Sequence, residues 1–269
     1  MTKPNAFNTN ACNTNSQPHV TLVGAGPGDP ELLTIKAVKA IASATVLLVD
    51  DLVSDAITAH ASPQARIVYV GKRGGCKSTP QAFIEKLMLQ EALAGEVVVR
   101  LKGGDPFIFG RGGEEVAHLQ SQGIAVTVIN GITSGLAGVT SLGVPLTHRE
   151  HAHGVVFITG HAKLDTDQSV DWVALGQTAA QAKLTMVIYM GVGGAAQLQN
   201  ALLQSMPANT PVAIIHQVSL PSQRHALCEL QDLHLTVQRE QLVSPSVIVV
   251  GDVFKGLLEL QATQNKHAA

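Results

Sequence analysis

The chemistry of this chain concentrates in the stretch Val97 to Glu115, VVVRLKGGDPFIFGRGGEE. It opens as a β-branched apolar run, Val97 to Val99. It then breaks at Lys102-Gly103-Gly104-Asp105-Pro106, through which neither helix nor strand continues easily. Phe107, Ile108 and Phe109 form a short apolar tongue, followed by Gly110-Arg111-Gly112-Gly113 and Glu114-Glu115. Five glycines, three acids and three bases surround that tongue. A loop that only reversed the chain would need two or three such residues. One this rich in glycine brings bare backbone N–H and C=O groups close to something, which suits it to holding a ligand. Arg111 and Glu114 lie three residues apart and can pair with each other or reach for separate partners.

Other candidate groups share one kind of position. Gly24-Ala25-Gly26-Pro27-Gly28-Asp29-Pro30 follows a β-rich run. It is not G-x-G-x-x-G, since Asp29 interrupts the pattern and Pro27 and Pro30 stiffen it, and no Gly-Lys-Ser/Thr Walker loop occurs in the chain. Taken alone, this loop can also be read as a tight βα turn with no ligand, the lesser of the two readings. Asp50-Asp51 ends the run Thr45 to Val49. Gly71-Lys72-Arg73-Gly74-Gly75 ends Arg66 to Val70. Asn130-Gly131-Ile132-Thr133-Ser134 follows Val126 to Ile129. His148, His151 and His153 lie on an expected linker without the carboxylate spacing of a metal site, so no metal is expected. His161 reads as a hydrogen-bonding histidine and Cys76, beside Lys77, as a loop thiol.

These groups need a scaffold, and the periodicity supplies one. Helical patterns over Thr34 to Ala44, Ser78 to Ala94 and Glu114 to Gln122 alternate with the short strands His19 to Gly24, Thr45 to Val49, Arg66 to Val70, Val97 to Leu101 and Val126 to Ile129. That alternation implies a largely parallel sheet covered on both faces. In such sheets ligands sit beyond the carboxyl ends of the strands, where the glycine loops, Asp50, Lys72 and Thr133 all fall. A boundary is expected near Thr147 to Gly154. Beyond it come strands at Val155 to Thr159, Thr185 to Tyr189, Val212 to His216 and Ser246 to Val250, and helices at Ala195 to Gln204 and Phe254 to Ala262. Gln223 to Leu230 and Leu242 to Val250 read as antiparallel edge strands, making this second sheet mixed. Asp165 to Gln181 reads as an irregular surface excursion. The division is then 1–18 a disordered tail, 19–147 an N-terminal α/β domain, 148–262 a C-terminal α/β domain and 263–269 a tail.

The totals agree. Of 269 residues 45% are apolar and only 3% aromatic, so the cores are aliphatic. A net charge of −2 gives no reason to expect nucleic-acid or membrane-surface binding. No apolar run approaches the roughly 18 residues of a membrane helix. The Asn-rich N-terminus lacks the apolar core of a secretory signal. Cys12, Cys76 and Cys228 form no disulfide framework or metal spacing, which fits a reducing cytoplasm.

Eight blocks in one order carry a resemblance: VGAGPGDPELLT, VDDLVS, VGKRGG, VVVRLKGGDPFIFGRGGEE, GITS, GVPLTHRE, TGH and YMG. From about residue 19 to about residue 255 the chain resembles the uroporphyrinogen-III C-methyltransferases of the S-adenosylmethionine-dependent tetrapyrrole methylase family. The resemblance implies a two-domain α/β fold with the active site in the cleft between the domains, and a cytoplasmic homodimer. It implies two methyl transfers from S-adenosyl-L-methionine to uroporphyrinogen III, giving precorrin-2 by way of precorrin-1, with S-adenosyl-L-homocysteine as the other product and no metal. Sirohaem, cobalamin or haem d1 synthesis would use the product. The fused dehydrogenase–chelatase or synthase region of some relatives is expected to be absent.

By the same resemblance, cofactor contacts fall on Pro27, Gly103, Gly104, Asp105, Ile108, Thr133, Ser134 and Met190. The 103–105 turn would offer backbone groups and one carboxylate. Asp50 takes the place of the base and Lys72 of the acid. Arg111, Arg149 and Lys72 would grip substrate carboxylates, since Arg forks onto them well. Glu114 would position a pyrrole N–H or move a proton, with His148 and Arg73 in support. Three positions depart from the family pattern: Ser134, commonly alanine, a small conservative change; Asp51, commonly Arg; and Val218, usually a glycine that contacts the cofactor. Asp51 should point away from Asp50 on an extended segment. A methylase of a later corrin intermediate and a non-catalytic nucleotide-binding protein are the competing readings; the RGGEE and THRE blocks oppose the first, the retained Asp50, Lys72 and GGD the second.

Overall fold

A computed structural model of the chain describes residues 17–71, 80–160 and 170–257. Each of the first five strands ends where a glycine or a charged residue stops an apolar run. They are β1 (His19–Gly24), β2 (Val46–Val49), β3 (Arg66–Tyr69), β4 (Val98–Lys102) and β5 (Ala125–Ile129). They pair in parallel in the order β3-β2-β4-β1-β5. Because side chains alternate along a strand, β4 feeds two cores at once. Val99 and Leu101 join Ala37 and Ile41 of α1 (Ile35–Ser43) on one face. Val98 joins Ile84 and Met88 of α3 (Gln81–Leu93) and Leu119 of α4 (Gly112–Ser121) on the other. A short α2 (Asp55–Thr58) follows β2. With β1 between β4 and β5, the three loops leaving their carboxyl ends are neighbours.

The second sheet contains β6 (Gly154–Thr159), β7 (Leu184–Tyr189), β8 (Pro211–His216), β9 (Arg224–Glu229) and β10 (Ser246–Val250), in the order β6-β7-β10-β8-β9. β6 and β7 are parallel; β10 and β9 run antiparallel to their neighbours. Leu198 and Leu202 of α7 (Ala195–Leu202) and Leu233 and Val237 of α8 (Leu233–Arg239) cover one face, together with α6 (Trp172–Ala182). The other face packs on α5 (Ser134–Ser141), which directly follows the last loop of the first sheet.

Two expectations are corrected. Most of the supposed excursion Asp165 to Gln181 that lies within the described residues is α6, capped by Asp171, whose Oδ1 accepts from Ala174 N at 3.0 Å. It buries Gly176 and Ala179, and Trp172 and Leu175 pack against the same core. Leu242 to Val250 yields an antiparallel strand, but β10 is central and β9 is the edge. The helix expected from Phe254 to Ala262 lies mostly outside the described residues, and α5 and α8 went unforeseen. Among the described residues no helix is long and apolar enough to cross a membrane.

Candidate active site

Three glycine loops converge above β1, β4 and β5. Gly26 N donates to Gly104 O at 3.1 Å and Gly104 N to Gly26 O at 2.7 Å. A Cβ on Gly24 would stand 2.4 Å from Gly131 N, and one on Gly131 would stand 2.2 Å from Gly104 O. Only bare backbones fit there. Asp105, 7% exposed, fastens the assembly: its Oδ1 accepts from Phe107 N at 2.8 Å, and its Oδ2 from Asn130 Nδ2 and Gly131 N, both at 3.1 Å. The carboxylate that the sequence offers to a ligand is thus spent on the loops themselves. The partly exposed backbone of Gly103 remains, with half-buried Pro27 on the paired loop, while Gly104, its own N–H and C=O paired with Gly26, offers a surface without a side chain. Gly104 has φ 67°, and a Cβ there would stand 3.8 Å from Thr133 Cα.

The second sheet reaches this point from the other side. Tyr189 OH lies 2.6 Å from Thr133 Oγ1 and accepts from Gly135 N at 2.9 Å, while its ring centroid is 5.0 Å from that of Phe109. Burial pushes the phenol pKa up. Asp29 N donates to Ser219 Oγ at 3.0 Å. Thr133, Ser134 and the exposed Met190 and Ile108 are therefore gathered around the junction of the two sheets. Phe109, Arg111, Met190 and Ser219 all have positive φ without being glycine, a conformation that costs about 1–3 kcal/mol each and concentrates at functional sites. Val218 is buried in the core between α5 and the second sheet.

Asp50 closes β2 beside this junction. Its Oδ2 is 3.7 Å from Arg100 Nη2, and its Oδ1 accepts from Asp51 N at 3.2 Å. Asp51 lies instead against Gly71, where a Cβ would be 2.1 Å from its Oδ1. The two side chains meet different partners, but the chain turns at Asp51 and Leu52 rather than staying extended, with Val53 N donating to Asp50 O at 3.3 Å. Lys72, Arg73, Cys12, Cys76 and His161 lie outside the described residues.

The anionic grip is divided. Arg111 and Glu114 pair with each other at the start of α4, Nε to Oε1 at 3.0 Å and Nη2 to Oε2 at 2.5 Å. That hydrogen bond pushes the guanidinium pKa further up. Both are more than half exposed, and an exposed pair is worth only about 0–1 kcal/mol. A carboxylate ligand can displace Glu114 at small cost. The pair lines an open depression of about 450 Å³ with Pro106 and Phe107. Arg149 lines another, of about 500 Å³, with Thr147, His148 and His153, and the two share no lining residue. His148 and Ala152 close a tight hairpin rather than a plain linker. On it the ligand atoms of exposed His148, Glu150 and His151 lie within 4.8 Å of one another, a grouping able to take a cation. His148 Nδ1 already accepts from Glu150 N at 3.2 Å.

Reading by sequence missed Arg100, Lys102, Glu115 and Tyr189. Arg100 and Lys102 occupy alternate positions of an apolar strand and so share one face. Glu115 sits in the first turn of the helix covering that face. This pattern was visible, but the glycines around it drew attention to the loop.

Residues 19–234 match the family model of the tetrapyrrole (corrin/porphyrin) methylases. The chain is 49% identical over 240 residues to a uroporphyrinogen-III C-methyltransferase of Pseudomonas aeruginosa, covering 89% of this chain and 95% of that one. It is 45% identical to siroheme synthase 1 of Aeromonas hydrophila subsp. hydrophila, covering 88% of this chain and 50% of that protein. Among solved structures, the uroporphyrin-III C-methyltransferase of Thermus thermophilus complexed with S-adenyl homocysteine superimposes with a TM-score of 0.74 at 37% identity, covering 88% of this chain and 99% of that one.

Proposed function

We propose that this chain, which belongs to the tetrapyrrole (corrin/porphyrin) methylase family, is an S-adenosyl-L-methionine-dependent C-methyltransferase. It methylates uroporphyrinogen III twice, giving precorrin-2 by way of precorrin-1. The observation that carries the reading is the convergence of the Gly24–Pro30, Gly103–Asp105 and Asn130–Ser134 loops next to Asp50. That convergence joins a backbone-lined seat to a carboxylate able to accept a proton.

The seat fits a cofactor without phosphate. Lys102 is turned into the interior and Asp105 is internally bonded, so neutral backbone and hydroxyl groups line it. S-adenosyl-L-methionine, when bound, supplies an electrophilic methyl on a sulfonium and leaves as S-adenosyl-L-homocysteine. The Gly103 backbone and the side-chain-free face of Gly104, with Pro27, Ile108, Thr133, Ser134 and Met190, hold and orient it. A pyrrole ring carbon of the acceptor attacks in line; its bond to the methyl forms as the carbon–sulfur bond breaks, so positioning does most of the work. Asp50 takes the proton that the ring releases, and Lys72 assists as acid. Arg111 and Arg149 hold acceptor carboxylates from two depressions, and Glu114, once released by Arg111, faces the pyrrole N–H. The resemblance supports a cytoplasmic homodimer, division into domains at 19–147 and 148–262, and a product used for sirohaem, cobalamin or haem d1.

Incubation with uroporphyrinogen III and methyl-labelled S-adenosyl-L-methionine tests the reading. Two labels per tetrapyrrole are expected. Folded protein that transfers no label would refute it.

A further inference from the structure

Behind Asp50 lies a cluster of charge that the reaction scheme does not use. Arg100 is 2% exposed, Lys102 3% and Glu115 0%. Arg100 Nε lies 3.2 Å from Glu115 Oε1, and Lys102 Nζ is 3.2 and 3.1 Å from Glu115 Oε1 and Oε2. Gln81, at the start of α3, donates Nε2–H to Oε1 at 3.2 Å. Arg100 Nη1 donates to the backbone oxygens of Leu48 and Leu101 at 3.4 and 3.2 Å. Its remaining Nη2 points to Asp50 Oδ2 at 3.7 Å. The guanidinium thus has its orientation fixed by β2, β4 and α4 and presents one free edge to a carboxylate at the floor of the cleft.

Charge explains why that edge matters. Two buried cations against one fully buried carboxylate leave one positive charge in excess, which is expensive without a partner. Asp50, with a side chain 34% exposed, is the nearest further anion. Burial, and next the neighbouring Arg100, push the Lys102 pKa down, so this excess is felt inside the cluster itself. Arg cannot relieve it by losing a proton. Attraction to Arg100 therefore holds the Asp50 carboxylate inward and in one orientation. The cationic neighbour absent at Asp51 is supplied here from the adjacent strand.

We propose that Arg100, clamped by Glu115, is a positioning residue that aims the Asp50 carboxylate at the acceptor carbon losing its proton. The proposal rests on reading Asp50 as the proton acceptor. Lysine at position 100 keeps the charge but lacks the planar fork, so it cannot hold both Glu115 and Asp50.

A double-mutant cycle tests this. Arg100→Lys should lower kcat about tenfold or more, with KM for uroporphyrinogen III and Kd for S-adenosyl-L-homocysteine changed less than threefold. In an Asp50→Asn background the same change should cost kcat less than twofold. Equal kcat losses in both backgrounds, or full kcat in Arg100→Lys, would overturn the proposal. Glu115→Gln, which loosens the clamp while leaving the guanidinium intact, runs the same cycle should Arg100→Lys not fold. It should lower kcat at least threefold only where Asp50 is present, and equal losses count against the proposal in the same way. Asp50→Asn with unchanged kcat would instead refute the reading of Asp50, a result distinct from a failure of Arg100.

Discussion

At the scale of residues, two side chains named by their sequence positions do different work from their neighbours in the same loop. Arg111 faces open solvent and pairs with Glu114, so its loss should be felt by an anionic ligand. A charge-assisted hydrogen bond contributes about 1.5–3 kcal/mol. Arg111→Ala is therefore expected to raise KM for uroporphyrinogen III roughly tenfold or more, while Kd for S-adenosyl-L-homocysteine by titration calorimetry stays within twofold. Equal losses would mean that Arg111 shapes the loop instead. Asp105 is the converse case. Its carboxylate satisfies Phe107 N, Asn130 Nδ2 and Gly131 N, and leaving buried donors unpaired costs about 1–3 kcal/mol each. Asp105→Ala should both lower the melting temperature and weaken S-adenosyl-L-homocysteine at least tenfold; weakened binding at an unchanged melting temperature would place the carboxylate on the ligand. Residue type and position made Asp105 legible as important. Its role was not legible, because Asn130 and Gly131 approach it only once the sheet order puts β5 two strands from β4.

At the scale of elements, the first sheet was readable because its strands are short, mostly apolar runs that stop at glycine or charged residues within two positions of their ends. Of the helices lost to reading, α5 and α6 bury Gly135, Gly138, Gly176 and Ala179, small residues that weaken the apolar pattern, whereas α8 buries Leu233 and Val237 but spans only seven residues. The same logic separates glycines that crowd from glycines that merely occur. Gly131→Ala must push a Cβ off Gly104 O, 2.2 Å away, and so force the Gly103–Asp105 and Asn130–Ser134 loops apart. It should weaken S-adenosyl-L-homocysteine binding at least tenfold. Gly113 lies within α4, and a Cβ there meets nothing within 4 Å. Gly113→Ala should stabilise the protein by about 0.4–1 kcal/mol, through reduced freedom of the unfolded chain. Titration calorimetry of Gly131→Ala with S-adenosyl-L-homocysteine and denaturant unfolding of Gly113→Ala check the pair, and a Gly113→Ala protein no more stable than the parent would contradict the open space seen at α4.

At the scale of the whole molecule, the question is whether the two sheets open as one unit. Among the described residues the tying contacts include the polar ones of Tyr189 to Thr133 and Gly135, Asp29 N to Ser219, and Gln223 Nε2 to Ser141 Oγ at 2.9 Å, the Phe109–Tyr189 ring contact, and the apolar packing of Val139 of α5 on the second sheet. Several belong to the loops assigned to the cofactor, so ligand should stabilise sheets that are far apart in sequence. Cys228 on β9 reports on this. Burial pushes its thiol up to about 11, so at pH 8 the native protein holds the unreactive thiol, whereas an opened chain, with an ordinary pKa near 8.5, exposes a sizeable thiolate fraction. In a Cys12→Ser/Cys76→Ser protein, a thiol reagent at pH 8 should label Cys228 only through opening. A ligand held at 100 times its Kd stabilises by about 2.7 kcal/mol whatever unfolds with its site. If both sheets open together, S-adenosyl-L-homocysteine at that concentration should slow labelling about a hundredfold. An unchanged rate would mean that the second sheet opens alone, and that the Tyr189 contacts position the loops without making the halves cooperative.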